Sequence, residues 1–180
     1  MASTVYLSDK HMKLDVGAIA KGYATVQVCK IAKANGYKNF LISVGGNVSA
    51  IGKKGLKKEL WNVAIQNPDK YSEQKSLYTL GITDLSLVAS GNYERYYTVD
   101  GKRYHHIINP ATLMPSEYFT SVSVICKDSG LADALSTTVY NMSFEEGKAL
   151  IESLDDVEAL WVFKDGKIEY TKKIENLMKK

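Results

Sequence analysis

Cysteine and proline are scarce, at two and three residues in a chain of 180. Cys29 and Cys126 stand far apart in apolar segments, in neither a CxxC nor a metal-type pair. The expectation is two buried free thiols and no thiolate metal centre or redox motif. No stretch has the length and apolarity of a membrane-spanning helix. The opening run Met1-Ala2-Ser3-Thr4-Val5-Tyr6-Leu7 lacks a basic segment followed by an apolar one, so no signal peptide is read there, and the compartment stays open. Charge of one sign is also lacking. The net charge is +3 with lysines interspersed among acids, which argues against nucleic acid as a partner. The Lys-rich end, Lys172 to Lys180, reads as a solvated helix or frayed tail. There is no internal repeat, low-complexity tract or Pro/Ser-rich linker.

What remains is the balance of a soluble globular protein, 45% hydrophobic and 24% charged residues, of a size for one domain over 1–180. Val16 to Asn35 has a helical rhythm, with Ile19, Tyr23, Val26 and Ile31 as apolar markers and Gly36 as the stop. Asn39 to Val44 reads as a buried strand running into Gly45-Gly46-Asn47. Trp61 to Gln66 is a strand ending at Asn67-Pro68. Residues 77–89 make one or two strands that end at Ser90-Gly91-Asn92. Asp100-Gly101, between Tyr93–Val99 and Arg103–Ile108, is the strongest hairpin signal in the chain. Ser121 to Cys126 is a further strand. Asp128 or Ser129 caps a helix over about Leu131 to Met142, and Ser143 caps the next. Val157–Phe163 and Lys167–Tyr170 close a last hairpin at Asp165-Gly166. Helices interspersed with hairpins predict an α+β fold rather than a parallel βαβ array.

Three places hold residues suited to chemistry. Asp133 and Thr137, four apart, share one helical face, with Leu131 and Leu135 pointing roughly the other way. Asp133 is the sole carboxylate of an apolar helix, so it needs a partner. A hard cation with oxygen ligands, Mg²⁺ with phosphate, is one candidate; a bond to backbone near its own helix start is the plainer one. Gly17 and Gly22 bracket Ala18-Ile19-Ala20-Lys21 at a helix start, where free N–H groups and Lys21 favour phosphate. Gly45-Gly46-Asn47 and Ser90-Gly91-Asn92 are turns that a ligand can approach closely, although neither a P-loop nor a dinucleotide fingerprint is present. Lastly, His105 and His106 are adjacent on a strand and so face opposite sides. One can face a cleft as a base or phosphate contact while the other meets solvent, and a satisfied structural histidine is the alternative. Tyr93, Tyr96 and Tyr97 can stack on a flat ring or simply pack.

Taken in order, Leu14-Asp15-Val16-Gly17-Ala18-Ile19-Ala20-Lys21-Gly22-Tyr23-Ala24, Leu41–Asn47, Trp61–Pro68, Ser90–Tyr93, Tyr104–Pro110 and Ala132-Asp133-Ala134-Leu135-Ser136-Thr137 resemble the motifs of the ApbE family, FAD:protein FMN transferases. The resemblance covers about 14–150, leaving 151–180 as a C-terminal hairpin and tail. It implies an α+β fold of mixed and antiparallel sheets with helices, in an incomplete version because the family's N-terminal region has no counterpart here. It also implies an enzyme that uses FAD and Mg²⁺ to move FMN to a Thr or Ser hydroxyl of an acceptor flavoprotein, releasing AMP.

By the same resemblance Asp133, Thr137 and the Ala18 carbonyl are metal ligands. His106 is a base or orienting group against the flavin pyrophosphate. Lys21, Gly45, Gly46, Asn47, Ser90 and Gly91 line the dinucleotide pocket. Asn109 stands where the family usually has Asp, and Leu113 where it has Gly. Two other readings are an FAD pyrophosphatase that makes FMN and AMP with water as acceptor, and a non-catalytic flavin-binding or oligomerising module. Unpaired strand edges would let a second copy complete the sheet, giving a homo-oligomer. Family members commonly work at the outer face of the bacterial cytoplasmic membrane, an expectation that no anchor in this sequence supports.

Overall fold

A computed structural model describes residues 3–179. Its centre is an antiparallel sheet of six strands, made of β1 (Phe40–Val44), β2 (Asn47–Ile51), β5 (Leu85–Gly91), β10 (Phe119–Cys126), β11 (Glu158–Phe163) and β12 (Ile168–Tyr170). They lie in the order β1-β2-β5-β10-β11-β12. Three helices, α1 (Ala20–Ala34), α2 (Ser129–Tyr140) and α3 (Phe144–Glu152), cover one face. The hairpin of β3 (Trp61–Gln66) and β4 (Ser76–Ile82), with a 3-10 helix at Lys172–Asn176, covers the other. Two small hairpins, β6 (Tyr96–Val99) with β7 (Lys102–His105) and β8 (Ile108–Asn109) with β9 (Met114–Pro115), project between β5 and β10 in sequence. The expected α+β class with antiparallel sheets is what the chain adopts.

Alternation along the central strands builds two cores. Ala159 and Trp161 of β11 face the helices, while Leu160 and Val162 face the hairpin layer. In β10, Val122 and Val124 likewise face the helices and Ile125 faces away. Each fully buried aliphatic or aromatic side chain contributes roughly 1.5–3 kcal/mol, so neither layer is dispensable. Tyr140 is fully buried and donates its hydroxyl to the Phe119 carbonyl at 2.7 Å, joining α2 to β10. Local signals act as expected at the ends. Asp128 caps α2 by accepting from Leu131 N at 2.9 Å, and Ser143 with Glu146 forms a capping box on α3. Asp100 and Gly101 both have positive φ, 48° and 75°, which turns the β6–β7 hairpin tightly.

Three expectations need correction. The helix predicted from Val16 begins only at Ala20, and it buries Gly22, Thr25 and Cys29. Ile19, Tyr23 and Ile31 are exposed, because the close approach of α2 selects small residues for the contact side. The strand ending at Val44 is not buried either, since β1 is an edge strand with Leu41 and Val44 open. The Lys-rich end does not fray, at least as far as Lys179. Ile174 is fully buried there, and Met178 bridges to Leu80 of β4.

Candidate active site

The site forms where α1 meets α2. The chain turns at Asp15, whose Oδ1 accepts from Gly17 N at 2.7 Å, and α1 starts at Ala20 with Ile19 as an N-cap that offers no side-chain bond, and with no acidic residue in its first turn. Its free N–H groups carry partial positive charge. Asp133, from the first turns of α2, answers that charge: Oδ2 accepts from Gly22 N at 2.8 Å. The carboxylate is 3% exposed, so this partner offsets the cost of its burial. The expected bond to backbone near its own helix start is replaced by one to a helix 111 residues away in sequence. Only glycine fits at the crossing. A Cβ on Gly22 would lie 2.6 Å from Asp133 Cβ and 2.9 Å from Gly130 Cα.

Gly22 is the third residue of α1, so its N–H is one of the helix-start donors with no intrahelical partner. Ala18 lies just before the N-cap Ile19, and its carbonyl has no backbone donor among the described residues. No hydrogen bond among them ends on Asp133 Oδ1 either. Ala18, Asp133 and Thr137 all line one cavity of about 910 Å³. The residues therefore offer a carboxylate oxygen, a hydroxyl and a carbonyl, the all-oxygen set that a hard divalent cation prefers. No group of three or more His, Cys, Asp or Glu side chains converges here or elsewhere among the described residues, so Asp133 is the one carboxylate of the set.

The cavity runs from this corner over the ends of β2 and β5 into the gap beneath β3. Lys21, Gly45, Gly46, Ser90, Gly91 and His106 line it with the three above. Lys21 Nζ donates to the Gly45 carbonyl at 3.3 Å, holding the two glycine turns together. The floor is small, with Ala89, Gly91, Ser121 and Ser123 on the face under Ala64 of β3. A Cβ on Gly91 would run into the Tyr93 ring. Burial, with Glu94 adding to it, pushes the Tyr93 hydroxyl up to about 12, so it stays protonated.

Asn47 is not brought to this cavity. As the first residue of β2 it alternates inward between Gly46 and Val48, which do line it, and it is fully buried with both amide atoms unpartnered. Asp15, Glu94 and Arg95 line the cavity without having been singled out. Asp15 alone had a local signal, the Asx-turn spacing to Gly17.

The two histidines separate, His106 exposed at the cavity and its neighbour His105 buried rather than in solvent as expected. His105 is buried against Tyr140, ring centroids 5.9 Å apart, with Nε2 2.8 Å from the Ser116 carbonyl. Burial holds its pKa below the usual histidine value. His106 is solvent-accessible and forms part of the cavity wall, with Nδ1 3.3 Å from the Arg95 carbonyl. A second, more open cavity of about 690 Å³ shares His106, Arg95 and Ile108 with the first and is walled by Tyr96, Tyr97 and Met114. Tyr97, itself exposed, stacks on Tyr104 there, centroids 5.5 Å apart.

The profile of the ApbE family matches residues 2–161. This chain belongs to the ApbE family. Among curated relatives it is 36% identical over 173 residues to the FAD:protein FMN transferase of Treponema pallidum, covering 92% of this chain and 48% of that one. To the protein of the same name from Klebsiella pneumoniae it is 35% identical over 164 residues, covering 90% and 49%. The ApbE protein of Thermotoga maritima superposes with a TM-score of 0.84 at 31% identity, over 93% of this chain and 54% of that structure. The flavinyl transferase ApbE of Pseudomonas stutzeri gives 0.75 at 30%, over 92% and 51%. The chain thus spans about half the length of the ApbE relatives it matches.

Proposed function

We propose that this chain carries the metal and pyrophosphate side of a flavin-transfer site, in which FMN passes from FAD to a Ser or Thr hydroxyl of an acceptor flavoprotein. The observation that carries the reading is the Gly22–Asp133 bond, since it holds a buried carboxylate, whose Oδ1 has no hydrogen-bond donor among the described residues, in one cavity wall with Ala18 and Thr137. Asp133 Oδ1, Thr137 Oγ1 and the Ala18 carbonyl would hold Mg²⁺, and Lys21 and the glycine turns would receive the pyrophosphate. Mg²⁺ bound there supplies Lewis-acid stabilisation of the charge that develops on the departing AMP.

His106 is suited to take the proton. A carbonyl only accepts, so the Arg95 contact places hydrogen on Nδ1, and in the tautomer that carries only this proton Nε2 is the acceptor. The acceptor hydroxyl, entering through the second cavity beside His106, forms a bond to the FMN phosphorus and gives its proton to Nε2. The bond from that phosphorus to the bridging oxygen breaks, and AMP leaves with that oxygen. Because His106 is open to solvent, water in place of the hydroxyl would give FMN and AMP, the hydrolytic reading.

The test is FAD fluorescence titration of the chain with and without Mg²⁺, followed by mass analysis of an acceptor peptide. Mg²⁺-dependent binding and a peptide gaining FMN are expected, and Asp133→Ala should abolish both the metal dependence and the turnover. Unchanged turnover in Asp133→Ala would sink the metal assignment. Release of FMN without modified peptide would favour hydrolysis. No binding by the parent chain would sink the flavin-site reading for this chain and leave the oligomerising module.

A further inference from the structure

Behind Thr137 lie two serine hydroxyls, that of Ser90, which also lines the cavity, and that of Ser136, which has no role above. Ser136, next to Thr137 on α2 and fully buried, has its Oγ 2.9 Å from the Asp133 carbonyl. The same Oγ is 2.8 Å from Ser90 Oγ of β5. Ser90 Oγ is in turn 3.3 Å from Thr137 Oγ1. Each hydroxyl has one proton to give and two lone pairs to accept with, so the order of donation can be worked out.

A carbonyl oxygen has no proton. Ser136 therefore spends its only proton on the Asp133 carbonyl. The contact between Ser136 and Ser90 then requires Ser90 to donate. Ser90 has now spent its proton, so its contact with Thr137 requires Thr137 to donate. The chain of donations runs Thr137 to Ser90 to Ser136 to the Asp133 carbonyl, with one direction fixed by its end. Thr137 is left with its proton turned away from the cavity and its lone pairs turned toward it. A hydroxyl that coordinates a cation must present a lone pair and not a proton.

We infer that Ser136, acting through Ser90, is a positioning residue that fixes the Thr137 hydroxyl in its cation-accepting orientation. The inference rests on the proposed metal site, and Ser136 itself is walled off from it. Removing the Ser136 oxygen frees the Ser90 proton. Ser90 can then donate to Thr137, occupying a lone pair and turning the Thr137 proton toward the cavity. Removing both serine oxygens takes away the competing donor, so Thr137 is again free to accept the cation.

The measurement is Mn²⁺ affinity at saturating FAD, read from the electron paramagnetic resonance signal of free Mn²⁺, with thermal unfolding of each variant as the folding control and a separate FAD titration to tell apart any loss from the place of Ser90 in the cavity wall. Ser136→Ala should weaken Mn²⁺ binding roughly tenfold or more, the scale of outer-sphere changes at metal sites. Ser90→Ala/Ser136→Ala should recover most of that loss, and Ser136→Ala added to Thr137→Ala should cost nothing further. A purely structural serine predicts the opposite pattern, in which the double variant is worse than either single one. Equal affinity of Ser136→Ala and the parent, or no recovery in the double variant, overturns the inference while leaving the metal site in place. No Mn²⁺ binding by the parent chain removes the metal reading and this inference with it.

Discussion

Gly22→Ala isolates the helix crossing on which the site depends. Alanine is the better helix former by about 1 kcal/mol, so on propensity alone the variant should be stabilised. The structure reverses the sign. The new methyl would stand 2.6 Å from Asp133 Cβ and 2.9 Å from Gly130 Cα, where carbon pairs settle at about 3.5–4.0 Å. Both neighbours belong to α2 and neither is the end of a flexible side chain, so α1 must withdraw by about 1 Å. Overpacking of this kind costs about 1–3 kcal/mol. The same withdrawal would stretch the 2.8 Å bond from Gly22 N past hydrogen-bonding length and strip a buried carboxylate of its donor, a further 1–3 kcal/mol or so. The net expectation is a loss of about 1–5 kcal/mol. Urea unfolding followed by the fluorescence of Trp161, fully buried in the helix-side core, measures it. Gly130→Ala is the control, since its Cβ would meet α1 backbone only at 3.6 and 3.7 Å and must displace the Asp128 carboxylate slightly, 3.1 Å away. It should change stability far less. A Gly22→Ala chain as stable as the parent would refute the argument from the crossing.

Two further expectations concern neighbouring segments. Leu113 is exposed at φ +58°, a conformation that costs a non-glycine residue about 1–2 kcal/mol. Leu113→Gly should therefore stabilise by up to about 1 kcal/mol after glycine's own entropic cost, read as a higher urea midpoint. His105 has its folded pKa lowered by burial from the model-compound value of 6.5. The unfolded chain thus binds its proton first, so stability is intact above about pH 6.5 and falls as pH drops through the lower folded value. His105→Gln should flatten that slope between pH 7.5 and 5; an unchanged slope would assign it to other groups.

Local chemistry made much of this fold legible. The Asp100-Gly101 turn, the Asp128 and Ser143 caps and the α+β class each depend on residues within a few positions of one another, and each was readable. The pairing of Asp133 with Thr137 on one helical face was equally plain, as was the need of a buried carboxylate for a partner. The partner's identity was not legible, because Gly22 lies 111 residues away and no periodicity carries information over that distance. Apolar markers misled on α1 for a related reason. Its buried side is chosen by how near α2 approaches, which selects Gly22, Thr25 and Cys29 over Tyr23 and Ile31. Asn47 shows the limit of motif reading, since a strand's alternation turned it inward from between two cavity-lining neighbours.

The contact between Gly22 and Asp133 also fixes when the site can exist. It closes a long span of chain around the intervening β1 to β10, so its entropic cost falls due only once that span is ordered. Partly folded states with α1 undocked lack the Gly22–Asp133 bond that sets Ala18 and Asp133 side by side in the cavity wall. A ligand of this corner would therefore bind the native state and no earlier one. Its affinity would add to the stability of the fold as mass action requires, and binding would report, in a refolding experiment, the docking of α1 on α2.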